Sequence, residues 1–411
     1  MRPHLAKHIK HIRSTYGLGR AMQDCLWTKN AMRKAIDAGQ PAMVERLSNS
    51  HTADLWTKMF NDTPAQAQIM LLLWLSLNVS ELTLYTYDGP LSRILGLELS
   101  SNVPNFHKYA KLDTINIDGV NEDDDVAHPA YPEPESYDSC ISILEALPAM
   151  RHYRHNHPKN ILGVLQMSVK RPPFRDEVLA NLQSLHLVDC QITMEQMFRT
   201  LQPCRSLSDF RFRAANMAFD RMSEDEITHL DFVGICEALM PSKQTLRYLY
   251  LSMGNGPHTV RNVGTYNTLA AGTLKEFDRL ETLIVPAAIL TITSEKVDPD
   301  LENFHFQEDN LQIIDHLPAS VVLLGLSNDQ TGQFFEENDH KWLAREAAAQ
   351  LARGLVQLPN LQAVHILESQ SSQIVYPREL QDRCVEDEID FVIEKWMEDD
   401  RLMVKHYGIT T

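Results

Sequence analysis

Cysteine is scarce in this sequence, and no two cysteines form a C-x-x-C pair. The 411 residues include only six cysteines, at Cys25, Cys140, Cys190, Cys204, Cys236 and Cys384. Cys190 and Cys236 lie within apolar repeat or helix patterns. We therefore interpret the cysteines as reduced core residues of an intracellular protein, cytoplasmic or nuclear, and expect no disulfide framework.

Long apolar runs are also missing. The N-terminus carries no cleavable apolar segment, and the longest apolar run, Ile69–Leu77, is too short to cross a bilayer. We interpret this run as the buried end of a helix that leads into a strand at Val79. The sequence therefore predicts no membrane partner.

Motifs of catalysis are absent as well. There is no Gly-x-Ser-x-Gly phrase, and Gly254–Gly256 lacks the further glycines and the lysine of a phosphate loop, so a plain turn accounts for it. His152, His155 and His157 could indicate a metal site. No cysteine or carboxylate stands at ligand spacing nearby, which favours a degraded strand with outward histidines. We expect no enzyme, no metal and no cofactor.

What the sequence does contain is an apolar repeat. In Leu182–Ile192 apolar residues occupy positions 1, 4 and 6, the spacing of a leucine-rich repeat, in which positions 4 and 6 point inward from a short strand. The same spacing starts at Val79, Leu112, Leu182, Leu207, Leu246, Leu280, Val321 and Leu361, and a degraded copy starts at Met150. Ile9 and Ile12 are positions 1 and 4 of a first strand.

The repeats are long and irregular, because from Leu182 onward their first positions are between 25 and 41 residues apart. Apolar residues at helical spacing fill several intervals before the strands. The predicted helices are Tyr137–Leu147, His229–Met240, Tyr266–Phe277, Asn310–Leu317 and Lys341–Leu358. Alternation of strand and helix predicts an α/β fold, a curved solenoid with a parallel sheet on its concave face and helices on its convex face.

We expect one solenoid over residues 1–370, monomeric, with a helical insertion at 19–75 and an acidic, proline-containing loop at 118–136. The acidic run in that loop could be a metal or partner site, but a solvated loop is the favoured interpretation. Residues 371–411 are predicted to cap the last repeat, with an amphipathic helix over Glu379–Asp400. A partner-binding tail is the alternative.

A basic strip is predicted on the concave face, from residues that lie between the core positions of successive strands. Its members are Arg151, Arg154, His186, Arg211, Arg213, Arg247, Tyr248 and Tyr250. Strands about 4.8 Å apart would align these side chains. They could pair with acidic insertions such as 118–125 or 223–226. They could instead bind an acidic or phosphorylated segment of a protein partner, since arginine forks bind carboxylate and phosphate at two points. Nucleic acid is disfavoured, because the formal net charge of −17 repels a long polyanion.

Two phrases resemble a known family. Arg2–Ile12 reads Arg-Pro-x-Leu-Ala-x-His-Ile-x-x-Ile, and Leu317–Leu326 reads Leu-Pro-x-Ser-Val-x-x-Leu-x-Leu. Both are similar to the repeat region of fungal F-box and leucine-rich-repeat proteins. The resemblance implies substrate recognition for a ubiquitin ligase, with an adaptor and cullin as partners only if an F-box lies upstream. The Leu-Pro-x-Glu phrase of an F-box is not seen, and 19–75 follows the first strand. A repeat scaffold or regulatory protein unrelated to ubiquitin is therefore the alternative.

Overall fold

The computed structural model of the chain describes residues 8–13, 76, 78–85, 111–118, 150–156, 179–190, 194–214, 232–252, 273–286, 317–327, 348–368 and 378–395. The chain divides into two compact units, Met1–Cys190 (unit 1) and Gln191–Thr411 (unit 2). Within the described residues there are eleven strands, five in unit 1 and six in unit 2, and few helices. The predicted α/β class is confirmed.

Unit 1 contains a parallel sheet in which each strand pairs with the next one along the chain. Its strands are β1 (His11–Arg13), β2 (Glu81–Tyr85), β3 (Thr114–Asp118), β4 (His152–Asn156) and β5 (Ser184–Cys190). The degraded repeat at Met150 forms a complete strand, β4, which pairs with neighbours on both sides. The polar residue at its sixth position therefore does not prevent strand formation.

Unit 2 repeats the arrangement with more helix, and its strands also pair in parallel and in chain order. They are β6 (Asp209–Ala214), β7 (Tyr248–Ser252), β8 (Thr282–Pro286), β9 (Leu323–Ser327), β10 (Ala363–Glu368) and β11 (Asp390–Lys395). The helices are α1 (Met194–Leu201), α2 (Phe232–Leu239) and α3 (Arg378–Glu386). Short 3-10 turns are Met240–Ser242, Thr273–Glu276 and Leu355–Gln357.

The predicted core positions are buried. Every described side chain at positions 1, 4 and 6, from Val79 to Ile366, is at most 8% exposed, and so is Ile12 on β1. Phe210 and Phe212 of β6 are among the largest fully buried side chains. The side chains of Leu84, Ile117 and His155 lie outside the described residues. The burial of these positions agrees with the predicted strand register.

One backbone feature recurs before the strands, at position 2 of the repeat. The carbonyl of Lys10 accepts hydrogen bonds from two successive amides of the next repeat, Ser80 (2.8 Å) and Glu81 (3.1 Å). We call this acceptor the shared carbonyl. The same double acceptor occurs at Lys10, Ser80, Asp113 and Arg151 in unit 1 and at Ser208, Arg247, Glu281 and Val322 in unit 2. Each shared carbonyl sets the start of the following strand.

Side chains reinforce this junction in unit 2, from the residue directly before position 1. Thr245 Oγ1 donates to the carbonyl of Leu207 (2.8 Å), and Ser320 Oγ donates to that of Leu280 (2.9 Å). Asn360 Nδ2 donates to the carbonyl of Ala319 (2.8 Å). Short polar side chains therefore satisfy turn carbonyls that the strand ladder leaves without a donor.

The structure contains some of the predicted helices, and others lie outside the described residues. His229–Met240 is confirmed by α2, and part of Lys341–Leu358 is helical at 348–354. The 3-10 turn Thr273–Glu276 ends the Tyr266–Phe277 segment. Helix α1 was not predicted. Four predictions lie wholly or mostly outside the described residues: the helix Tyr137–Leu147, the helix at 310–317 except for its last residue, the insertion 19–75 and most of the acidic loop 118–136.

The C-terminal prediction needs correction, because a single helix over Glu379–Asp400 is wrong. Helix α3 ends at Glu386, and β11 begins four residues later. Glu388 has a positive φ of 57°, the Glu388 amide bonds the Val385 carbonyl, and the Ile389 amide bonds the Cys384 carbonyl (2.8 Å). These bonds are a Schellman motif, which ends a helix with one left-handed residue. After this motif the chain changes direction and forms the strand β11.

Three cysteines are described with their side chains, and all are buried and free of disulfides: Cys204, Cys236 and Cys384. Burial raises the pKa of Cys204 to about 12, and burial together with the charge of Asp387 raises the pKa of Cys384 to about 11. These thiols stay protonated at neutral pH and pack as small apolar groups. In the described part of the chain we find no helix with the length and apolarity that a membrane span requires.

Candidate functional site

Each sheet has a second face, which carries positions 3 and 5 of every repeat, opposite the core positions 4 and 6. Strand alternation puts these residues in rows across the sheet. In unit 1 the row at position 5 includes Arg154 directly beside His186, and in unit 2 it includes Arg211 directly beside Tyr250. Two pairs of the predicted strip residues are therefore neighbours on adjacent strands.

In unit 1 the strip residues lie on a polar and accessible surface. Arg151 is exposed just before β4, and His152, Arg154 and His186 are half-buried. The Ser184 hydroxyl and His186 Nε2 are 3.0 Å apart and share a hydrogen bond. The parallel ladder thus holds one arginine and two histidines on adjacent strands, with Arg151 just before β4.

The polar face of unit 1 continues over its first three strands, which the predicted strip omits. His11 Nδ1 lies 2.7 Å from Glu81 Oε2. Asn116 Nδ2 donates to Glu81 Oε1 (3.0 Å) and to Thr83 Oγ1 (3.3 Å). These residues occupy positions 3 and 5 of their own repeats, so the spacing that placed Ile12 and Leu82 in the core could have identified them.

In unit 2 the strip residues have different surroundings, and Arg211 is the first example. Its guanidinium donates two hydrogen bonds to Asp209, each 3.0 Å long, and stacks 4.2 Å above the ring of Tyr248. The Arg211 side chain is only 11% exposed. A bidentate carboxylate and an aromatic face occupy this arginine, so it is a packing residue of the sheet. This carboxylate partner belongs to an aspartate on its own strand.

Tyr248 and Tyr250 are also packing residues here, with 9% and 4% exposure. They form an apolar cluster with Ile284 and Leu367, against which Leu323 packs. We call this the tyrosine cluster. The expectation that both rings offer contact area to a partner is therefore corrected: apolar residues on the next strands bury them. The sequence contains a signal for this burial, because position 5 of the next two repeats is Ile284 and Gly325, which are not polar.

The two remaining strip arginines of unit 2 lie nearer the surface. Arg247 is exposed, and its guanidinium stands 3.7 Å from the carboxylate of Glu281 in the next repeat. Arg213 is half-buried on β6. Each unit therefore has one exposed strip arginine, Arg151 in unit 1 and Arg247 in unit 2, and one half-buried arginine of similar exposure, Arg154 and Arg213.

The described part of the chain contains no site for the other candidates from the sequence, namely the histidines, the glycine turn and the acidic segments. Among the described residues no three histidine, cysteine or acidic side chains are grouped to hold a metal ion. His152 lies on β4, the side chain of His155 is not described, and His157 is outside the described residues, as are Gly254–Gly256 and the acidic segments 119–136 and 220–226.

Comparison of the sequence with protein-family models finds no matching family. Comparison with curated proteins finds no match either.

Proposed function

We propose that this chain is a curved leucine-rich-repeat solenoid that recognises another protein. Parallel strands in chain order, buried positions 1, 4 and 6, and the recurring shared carbonyl support a repeat architecture. A right-handed crossover between parallel strands would coil such repeats. The surface we assign to the partner is the second face of unit 1.

The observation that carries this proposal is the polarity of that face. Its described side chains at positions 3 and 5 are polar on all five strands, whereas in unit 2 the tyrosine cluster takes both positions of β7 and position 5 of β8. A polar face on a rigid sheet offers directional hydrogen bonds to a partner without large apolar exposure. Repeat proteins use such extended faces for binding.

The charges on this face favour an acidic or phosphorylated segment. At positions 3 and 5 two arginines, Arg13 and Arg154, stand against one carboxylate, Glu81. At position 2 Arg151 is exposed and the carboxylate Asp113 is half-buried. Arginine binds carboxylate and phosphate with two parallel hydrogen bonds. The formal net charge of −17 disfavours nucleic acid as the partner.

A finer proposal, which rests on the resemblance to fungal F-box and leucine-rich-repeat proteins, is that the chain selects substrates for a ubiquitin ligase. It requires an F-box encoded with these repeats. The test is whether the adaptor and cullin co-purify with the gene product from cells. Their absence would leave the protein-recognition proposal standing and remove the ubiquitin role.

Recognition itself is tested with two matched arginines. Arg151 and Arg247 both occupy position 2 of a repeat, both are exposed, and they belong to different units. A labelled glutamate-rich peptide with one phosphoserine is titrated against the wild type, Arg151→Glu and Arg247→Glu, and a glutamine analogue serves as the uncharged probe. We expect Arg151→Glu to weaken binding at least about 10-fold, roughly 1.4 kcal/mol, and Arg247→Glu to change it less than about 2-fold.

Circular dichroism melting checks that both variants keep the fold. Equal losses for the two arginines would remove unit 1 as the recognition surface. Equal affinity for the acidic and the uncharged peptide would reject the acidic-partner assignment.

A further inference from the structure

Four hydrogen-bond donors form a two-by-two array on the second face of unit 1. His152 of β4 lies directly beside Ser184 of β5. Arg154, further along β4, lies directly beside His186 of β5. Neighbouring strands are about 4.8 Å apart, and positions 3 and 5 of one strand are about 6.6 Å apart. All four side chains are half-buried, and we call these four residues the quartet.

The quartet contains no carboxylate, and the residues beside it at the same positions of β3, Thr114 and Asn116, are uncharged. At positions 3 and 5 of the described strands of unit 1, the one carboxylate is Glu81 on β2. Its Oε1 accepts a hydrogen bond from Asn116, and its Oε2 lies 2.7 Å from His11 Nδ1. This carboxylate is therefore bound by groups on β1 and β3, two strands away from the quartet.

Unit 2 shows what an arginine at position 5 does when position 3 of its own strand is a carboxylate. Arg211 donates two hydrogen bonds to Asp209, each 3.0 Å long. Arg154 occupies the same position of its repeat, but position 3 of its strand is His152. An imidazole cannot accept two parallel hydrogen bonds as a carboxylate does. An anion that pairs with Arg154 at two points must therefore come from outside β4.

The β5 half of the quartet adds a hydroxyl and a second imidazole. The Ser184 hydroxyl and His186 Nε2 are 3.0 Å apart and share a hydrogen bond. A hydroxyl has one proton and two acceptor lone pairs, so Ser184 can accept from a protonated imidazole and donate its own proton to an anion. A bound anion in turn favours the protonated form of a neighbouring imidazole. The quartet can therefore offer an anion one guanidinium fork, two imidazoles and one hydroxyl.

We propose that the quartet binds the phosphate group of a phosphorylated protein segment, and binds it more tightly than a carboxylate. This inference rests on the proposed recognition role of the second face of unit 1. A phosphate monoester has three terminal oxygens and a charge of about −1.5 to −2 at pH 7, whereas a carboxylate has two oxygens and a single charge. Donors on two adjacent strands match three oxygens, and a carboxylate would leave part of them unused.

Fluorescence anisotropy on the full chain at pH 7 tests this with the labelled phosphoserine peptide, its counterpart with glutamate in place of phosphoserine, and the glutamine analogue. The wild type should bind the phosphoserine peptide at least about 10-fold more tightly than the glutamate peptide. Arg154→Lys keeps the charge but loses the fork, and His152→Asp introduces the carboxylate that unit 2 has at this position. Each should reduce the preference to less than about 3-fold. Arg13→Lys, the same exchange at position 5 of β1, is the matched control and should keep the full preference.

The outcomes separate this inference from the proposal on which it rests. Equal affinity for the phosphoserine and glutamate peptides, with weaker binding of the glutamine analogue, would overturn the quartet as a phosphate site and leave the acidic-partner proposal standing. Equal affinity for all three peptides would reject both. A preference that survives Arg154→Lys, or that Arg13→Lys loses equally, would place the phosphate elsewhere and overturn the inference. Circular dichroism melting checks the fold, and Arg154→Lys decides alone if His152→Asp does not fold.

Discussion

The two units use the same strand framework but carry different second faces. In unit 1 positions 3 and 5 hold histidines, arginines, asparagine and threonine, joined by hydrogen bonds such as that from Asn116 to Glu81. In unit 2 the strands β7 and β8 hold Tyr248, Tyr250 and Ile284 at these positions, and the three side chains bury one another. Core positions 4 and 6 are apolar in both, apart from His155 at position 6 of β4. The sheet register therefore depends on one set of residues, and the other set decides whether a face is available to a partner.

The largest loss of stability is expected from a substitution that disrupts the tyrosine cluster. Tyr250→Ala removes a ring that is 4% exposed and should cost about 3 to 5 kcal/mol, because it leaves a cavity beside Ile284. His152→Ala, on the second face of unit 1, is half-buried and should cost less than about 1 kcal/mol. Denaturant unfolding followed by circular dichroism measures both. Comparable losses would show that the second faces do not differ in packing.

The next prediction concerns Gly325, and it tests how closely the second face of unit 2 is packed. A Cβ built on Gly325 would lie 2.8 Å from Ile284 Cγ1 and 3.1 Å from its Cγ2, so Ile284 must move. Gly325→Ala should therefore destabilise the protein by about 1 to 3 kcal/mol. In a double-mutant cycle Ile284→Ala should absorb part of that cost. A strictly additive cycle would contradict the proposed close contact.

A smaller effect is expected in unit 1. Asn116→Ala loses hydrogen bonds to Glu81 and Thr83 on the neighbouring strand, and the face is partly open to water. We expect a loss of roughly 0.5 to 1.5 kcal/mol in the free energy of unfolding. A loss as large as that of Tyr250→Ala would mean that this face is a packed core, and it would no longer be a candidate for recognition.

The smallest expected effect is at Arg247. Its ion pair with Glu281 spans 3.7 Å and is exposed to solvent on both sides. Arg247→Ala should change the free energy of unfolding by less than about 0.5 kcal/mol. A larger change, insensitive to salt, would indicate that the alkyl part of Arg247 packs against the sheet.

The core register was predictable because position 1, 4 and 6 residues such as Leu249 must all face inward, so their spacing alone identifies them. The second face was harder, because the burial of Tyr250 depends on Ile284 and Gly325 of other repeats, more than 30 residues away in sequence. The helix end at Glu388 could not be foreseen, since glycine or asparagine usually takes the left-handed position and a glutamate gives no such signal.

The shared carbonyl has a consequence for how this chain can change length. It fixes the alignment of a strand through two amides at the strand's start, whatever number of residues came before them. The register of a strand therefore does not depend on the length of the segment that precedes it. Residues can be inserted or deleted between one strand and the next without shifting the ladder. Such a chain can acquire or lose surface loops over evolution, and a designer can graft segments between strands, while β6–β10 keep the same alignment.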